Sequence, residues 1–207
     1  MKIVGVMLAA GLSSRMGQNK LLLPVGQSSM AGSVLNEALQ SDLDHVVIIT
    51  NKEKDLRWVP TTDHQADKQK KWSSVVCHDS SRGQSYSLKC GLEEAEKREA
   101  DAVVILLADQ PYIKKELINQ LIHTCNQAQN VQFVASRTQG VAQPPVLFSK
   151  ETFPVLKRLQ GDRGAGSLLK AHSPFTNGYF QECLSSYMLK DIDTPDEYQQ
   201  SIVEKRS

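Results

Sequence analysis

Apolar residues come in short runs separated by polar stretches, and between the runs the apolar spacing changes from continuous to helical. Ile3-Val-Gly-Val-Met-Leu8 has the length and β-branched content of a buried strand. Met30, Val34, Leu35, Ala38 and Leu39 then recur at helical spacing up to about Gln40, with Ser28 placed to cap the start. The alternation repeats along the chain. His45–Thr50 and Ser74–Cys77 read as strands, Leu88, Leu92 and Ala95 as one helical face, and Ala102–Ala108 as the most apolar run of all. Leu117, Leu121 and Ile122 mark a further helix, Val131–Ser136 a strand, and Leu168-Leu169 the start of another helix. The stretch from Tyr187 onward ends the strand pattern and opens a last helix through Thr194-Pro195, with Glu197 completing a capping box.

Strands alternating with helices predict an α/β protein, and a fully apolar strand such as Ala102–Ala108 implies helical cover on both faces of a parallel sheet. The expected architecture is a single doubly wound, mostly parallel sheet of six or seven strands with right-handed crossovers. No repeat, low-complexity tract or linker divides the 207 residues, so one domain over 1–207 is expected.

Charge narrows the partners. With 24 basic and 23 acidic residues the net charge is +1, which leaves no footprint for general nucleic-acid or membrane binding. Lys68, Lys70 and Lys71 sit near Asp63 and Asp67 in a polar stretch and read as solvated surface. The four cysteines, Cys77, Cys90, Cys125 and Cys183, form no Cys-x-x-Cys pair and read as core or incidental thiols, suggesting neither a zinc site nor a disulfide scaffold. Lys2 followed by an apolar run imitates a short signal peptide, but the run is strand-length, and no stretch approaches the roughly 18 apolar residues of a membrane span. A cytoplasmic protein is expected.

The chemistry concentrates after the first strand. Leu8-Ala-Ala-Gly-Leu-Ser-Ser-Arg-Met-Gly-Gln-Asn-Lys20 packs two glycines, two serines and two cations into a loop suited to polyphosphate. Gly11 and Gly17 free the backbone to turn, Ser13 and Ser14 add polar contacts, and Arg15 and Lys20 bring charge. The spacing is neither Walker A nor the dinucleotide fingerprint. Asp109 closes the most apolar strand, at the edge where open α/β sheets bind ligands, although an aspartate there also suits a simple turn. Ser85 or Ser87 stands at a helix start and suits a cap. The capping box at Thr194 leaves Asp191 and Asp193 unexplained.

Taken together, Leu-Ala-Ala-Gly-x-Ser-x-Arg-Met-Gly-x-x-Lys20, Gly83-x-x-x-Ser87-Leu-x-x-Gly91-Leu, Leu-x-x-Asp109-Gln-Pro and Asp191-x-Asp193-Thr-Pro resemble the signature segments of the molybdenum cofactor guanylyl- and cytidylyltransferases and their fold relatives. The group includes accessory proteins of purine catabolism that support xanthine dehydrogenase. The resemblance implies transfer of a nucleotidyl group to a substrate phosphate, with Mg2+ held by Asp109 and Asp193. It implies catalytic roles for Lys20 and Arg15, and a nucleotide bordered by Leu8, Ala9, Ala10, Gly11, Ser13, Ser14, Gly17 and Ser87. Ala10 stands where the guanylyltransferases usually carry glycine, which points to CTP as donor and molybdenum-bearing molybdopterin as acceptor, with a hydroxylase such as xanthine dehydrogenase as a possible recipient of the product. Gln143-Pro144 replaces the usual Gly-Asn before Pro-Val-Leu-Phe, and Gly166 an arginine after Gly161-Asp-Arg-Gly. Two alternatives stay open: a cytidylyl- or uridylyltransferase acting on a sugar or alditol phosphate, and a non-catalytic carrier of the molybdenum cofactor.

Overall fold

The structure, a computed structural model, describes residues 1–11, 16–51, 56–59, 71–170, 173–183 and 185–204, the last three of these as backbone only. A seven-stranded sheet organises them. In chain order its strands are β1 (Ile3–Leu8), β4 (His45–Thr50), β5 (Trp72–Val76), β6 (Ala102–Leu107), β7 (Phe133–Thr138), β8 (Val141–Ser149) and β9 (Gly178–Glu182), while β2 (Pro24–Val25) and β3 (Ser28–Ser29) form a separate two-stranded ribbon. Across the large sheet the order is β5-β4-β1-β6-β8-β7-β9. β8 pairs antiparallel with both β6 and β7 and alone runs against the others. The sheet is thus mixed and mostly parallel, as the apolar pattern predicts.

Alternation along the strands divides the core into two layers. Ile3 and Met7 of β1 point to the face covered by α1 (Met30–Gln40), where they meet Val34, Leu35 and Ala38. Val4, Val6 and Leu8 point to the other face, covered by α2 (Gln84–Lys97) through Leu88, Leu92 and Ala95. α3 (Lys115–Gln127) joins the first layer through Ile118, Leu121 and Ile122, and the short α4 (Phe153–Leu156) joins the second. A small third cluster, Met16, Val25, Met30, Tyr112, Ile192 and Tyr198, ties the first loop to α5 (Pro195–Glu204).

Several local expectations change. Ser29, not Ser28, caps α1, its Oγ accepting the Gly32 N–H at 3.1 Å. Ala165–Leu169 is a 3-10 turn, not a helix start, and Ser186–Leu189 is a second such turn where the strand pattern had been expected to run out. The last strand lies earlier, at β9, an edge strand whose half-covered Gly-Tyr-Phe-Gln-Glu carries no clear apolar pattern. Lys71 is no surface cation. Its Nζ donates to the Leu39 and Ser41 carbonyls, at 2.9 and 2.6 Å, satisfying the end of α1, and burial lowers its pKa. Lys68 and Lys70 lie outside the described residues. Cys77 and Cys90 are joined in a disulfide rather than left as separate thiols, because the turn after β5 folds α2 back and brings their Cα atoms to 6.1 Å. Cys125 is a buried free thiol and Cys183 a half-buried one.

Candidate active site

The strand order creates the site. From β1 the chain moves outward to β4 and β5, then returns to lay β6 on the other side of β1. Where the winding reverses, the carboxyl ends of two adjacent strands open a crevice. Leu8 to Gly11 leave β1 there, and Ala108 and Asp109 leave β6. The two exits are pinned together by the Ala108 N–H donating to the Leu8 carbonyl at 3.1 Å. A cavity of about 620 Å³ occupies this edge, and Leu8, Ala9, Ala10, Gly11, Lys20, Ser87, Asp109 and Asp193 all line it.

Three of these residues make direct contact across the whole chain. Lys20 Nζ donates to Asp109 Oδ2 at 2.7 Å and to Asp193 Oδ1 at 2.7 Å. The Lys20 side chain is only 9% exposed. Burial by itself pulls its pKa down, but the charge of Asp109 and the hydrogen bonds and charge of both carboxylates outweigh it, so the pKa is raised and the ammonium stays charged. Lys20 begins a 3-10 turn that Asn19 caps, its Oδ1 accepting the Leu21 N–H at 3.1 Å.

Asp193 reaches the β6 edge through backbone and side-chain ties. The Ile192 N–H donates to the Asp109 carbonyl at 3.0 Å, and Gln110 Nε2 donates to the Leu189 carbonyl at 2.8 Å. The glutamine beside the acid is therefore a buried clamp on the C-terminal segment. Glu197 Oε2 accepts the backbone N–H groups of both Asp193 and Thr194 at 2.8 Å, while Thr194 Oγ1 accepts from Glu197 N at 3.3 Å. The predicted capping box is present, and it also fixes the backbone that carries Asp193. Tyr198 Oη donates to the Pro24 carbonyl at 2.7 Å, which ties the same helix to the chain just beyond Lys20.

Asp191 also lines the cavity. It is open to solvent by area yet crowded by protein atoms, and that burial, followed by the charge of Asp109, raises its pKa. The opposite wall comes from Ser80, Ser81, Gly83 and Gln84, together with Asp162 from the Gly161 loop. Sequence reading did not single out Ser80, Ser81, Gln84 or Asp162 for the site. Their only signal was proximity to Ser87 or to the Gly-Asp-x-Gly segment. Gly83 sits at φ +129°, and a Cβ there would stand 2.3 Å from the Gly161 backbone, so the two loops interlock. Ser85 and Ser87 do not cap α2, whose first turn has no side-chain cap; Ser85 Oγ is buried without a partner, and Ser87 faces the cavity. Gly17, with φ +65°, turns the loop but does not line the cavity. Ser13, Ser14 and Arg15 lie outside the described residues.

A buried lysine held between two carboxylates at a switch-point cavity suits chemistry on phosphates, and comparison with known proteins decides the class. Residues 5–175 match the MobA-like NTP transferase domain. The chain belongs to the MobA-like NTP transferase family. It is 42% identical over 197 residues to the purine catabolism protein PucB of Bacillus subtilis (strain 168), covering 95% of this chain and 94% of that protein. The crystal structure of Rv0371c from Mycobacterium tuberculosis H37Rv matches this MobA-like chain with a TM-score of 0.77 at 25% identity, over 98% of each chain. A manganese complex of Rv0371c matches with a TM-score of 0.73 at 23% identity, over 98% of this chain and 99% of that one. The 4-diphosphocytidyl-2C-methyl-D-erythritol synthase of Anaerococcus prevotii DSM 20548 shares the fold, with a TM-score of 0.69 at 14% identity over 99% and 96%. As a MobA-like transferase the protein moves a nucleoside monophosphate from a nucleoside triphosphate to an acceptor. Among the described residues no helix is long and apolar enough to cross a membrane.

Proposed function

We propose that this MobA-like transferase, working in the cytoplasm as one unit, moves CMP from CTP to the terminal phosphate of molybdenum-bearing molybdopterin and releases pyrophosphate. The meeting of Lys20 with Asp109 and Asp193 at the carboxyl edge of β1 and β6 carries the transfer chemistry. An oxygen of the acceptor phosphate attacks the α-phosphorus; a phosphorus–oxygen bond forms, the α–β bridge breaks, and the electron pair leaves with pyrophosphate. No protein nucleophile is needed. Lys20 supplies positive charge where it develops on the phosphates, and Arg15 is assigned the same duty. Leu8, Ala9, Ala10, Gly11 and Ser87, which line the cavity, border the nucleotide, and Ser13, Ser14 and Gly17 are assigned to it on the family resemblance.

The donor set fits a divalent cation. Two carboxylate oxygens already bracket one cation, the Lys20 ammonium, at 2.7 Å each. Among the described residues no group of three or more His, Cys, Asp or Glu is arranged to hold a metal alone. A pair of carboxylates suits Mg2+, which takes one or two together with substrate phosphates and waters. Asp109 and Asp193 would hold Mg2+, which when bound neutralises phosphate charge.

CTP rests on Ala10, which borders the cavity where the guanylyltransferases usually have glycine, and the molybdopterin acceptor rests on the family resemblance and on likeness to a purine catabolism protein. A sugar or alditol phosphate is the second reading. The erythritol synthase among the fold relatives speaks for it, and the comparisons as a whole support nucleotidyl transfer without supporting a pterin acceptor.

The test is pyrophosphate release with Mg2+ and molybdenum-loaded molybdopterin, offering CTP, GTP, ATP and UTP in turn. A parallel series replaces the pterin with sugar and alditol phosphates. Release with CTP and the pterin alone is the expected result. Turnover only with a sugar or alditol phosphate would replace the acceptor and leave the transfer chemistry intact; pterin binding without turnover would point to a cofactor carrier. Asp109→Ala should lower turnover by about a hundredfold or more, the scale of losing one electrostatic element of a reaction centre.

A further inference from the structure

Lys20 occupies one oxygen of each of the two carboxylates assigned to the divalent cation. Its Nζ takes Asp109 Oδ2 and Asp193 Oδ1 together, from a side chain that is 9% exposed. A divalent ion coordinated by those oxygens at roughly 2.0–2.6 Å would stand within a few ångströms of the ammonium, where like charges in a poorly solvated site repel strongly. Sharing the two carboxylates therefore costs both cations. The lysine has the means to leave: a four-carbon stem rooted in a three-residue 3-10 turn, so its head can swing without moving a strand or long helix. Among the described residues lining the cavity, four carboxylates (Asp109, Asp162, Asp191 and Asp193) face this one cation. A triphosphate entering the cavity needs positive charge from both sources.

We propose that Lys20 and the divalent cation compete for Asp109 and Asp193, so that Lys20 serves as an exchangeable counter-ion that the metal displaces onto the nucleotide phosphates. The proposal rests on the assignment of these two carboxylates as the metal pair. It deepens that assignment into a loading order. Without nucleotide, the metal must evict a well-paired ammonium and binds weakly. With nucleotide present, the evicted ammonium finds phosphate oxygens and the metal gains phosphate ligands, so the two ligands strengthen each other reciprocally. Until a triphosphate arrives, the pair of carboxylates keeps Lys20 as its counter-ion.

Mn2+ titration followed by the loss of the free-ion electron paramagnetic resonance signal tests the exchange without any transfer reaction. In the absence of nucleotide, at about pH 8, Lys20→Met should bind Mn2+ about tenfold or more tightly than the parent. Adding CTP should tighten Mn2+ binding in the parent by more than in the variant, because only the parent has an ammonium to rehouse. Lys20→Met that binds Mn2+ no tighter than the parent would overturn the competition while leaving the metal pair in place. Failure of parent and variant alike to bind Mn2+, with CTP still bound, would remove the metal pair and the proposal with it. Lys20→Gln, which can still donate to one carboxylate, substitutes if Lys20→Met does not fold. The parent also offers a direct reading: saturating Mg2+ with CTP should move the Lys20 side-chain ammonium resonance, and an unmoved resonance refutes displacement. None of these readings depends on the acceptor, so failure of the molybdopterin assignment would show only in the pyrophosphate assay.

Discussion

Gly91 lies where α2 presses closest to the sheet. A Cβ there would stand 2.2 Å from Val6 Cγ1, and Val6 is fully buried. Alanine would favour the helix by about 1 kcal/mol on propensity alone, but it would wedge the helix off β1. Gly91→Ala is therefore expected to destabilise the fold by about 1–3 kcal/mol, the usual penalty of overpacking, measured by urea unfolding. A variant as stable as the parent would mean the layers separate freely. Lys20 is constrained by chemistry where Gly91 is constrained by space. Lys20→Ala should lower turnover much more than nucleotide affinity, because its charge is assigned to the transition state; unchanged turnover with weakened nucleotide affinity would place its role in ground-state binding.

At the scale of elements, α5 does two jobs through one residue. Glu197 accepts two backbone N–H groups and thereby caps the helix and holds the Asp193 backbone. The Asp193 N–H bond, followed by the contacts to Thr194, keeps its pKa below the usual glutamate value despite an opposing desolvation. A carboxyl depressed in the folded state contributes stability that is present above the unfolded pKa and lost as pH falls through the folded one. Glu197→Ala should therefore cost about 1 kcal/mol at neutral pH. The difference from the parent should vanish in strong acid, which thermal melts across pH would register. The capping box was legible in the sequence because its chemistry is local: Thr194, Pro195 and Glu197 announce it within four residues. The same holds for β1, β4 and β6, whose buried runs leave little choice of structure. β9 was not legible, because an edge strand left largely open to solvent needs no apolar run. Nor was the role of Lys71, since the carbonyls it satisfies belong to residues some thirty positions earlier. Asp109 and Asp193 were legible as residues through the family resemblance, but their shared contact with Lys20 depends on strand order, and apolar patterning does not encode strand order.

For the whole molecule, the reversal of winding between β1 and β6 makes the cavity a joint property of distant parts. Ligands held there brace the sheet edge, the first loop and the C-terminal segment together. CTP with Mg2+ should raise thermal stability as binding linkage requires, by about 2.7 kcal/mol at a hundredfold excess over the dissociation constant. In an Asp109→Asn/Asp193→Asn double variant the increment from Mg2+ should disappear, and its persistence would locate the ion elsewhere. The partners of Lys20 lie 89 and 173 residues further along the chain. On the ribosome, then, the first loop and Asp109 emerge long before the last charge of the trio has been translated. The nascent protein carries an incomplete centre until Asp193 is made, and acquires the complete one only when the α5 segment reaches back to the turn at Lys20.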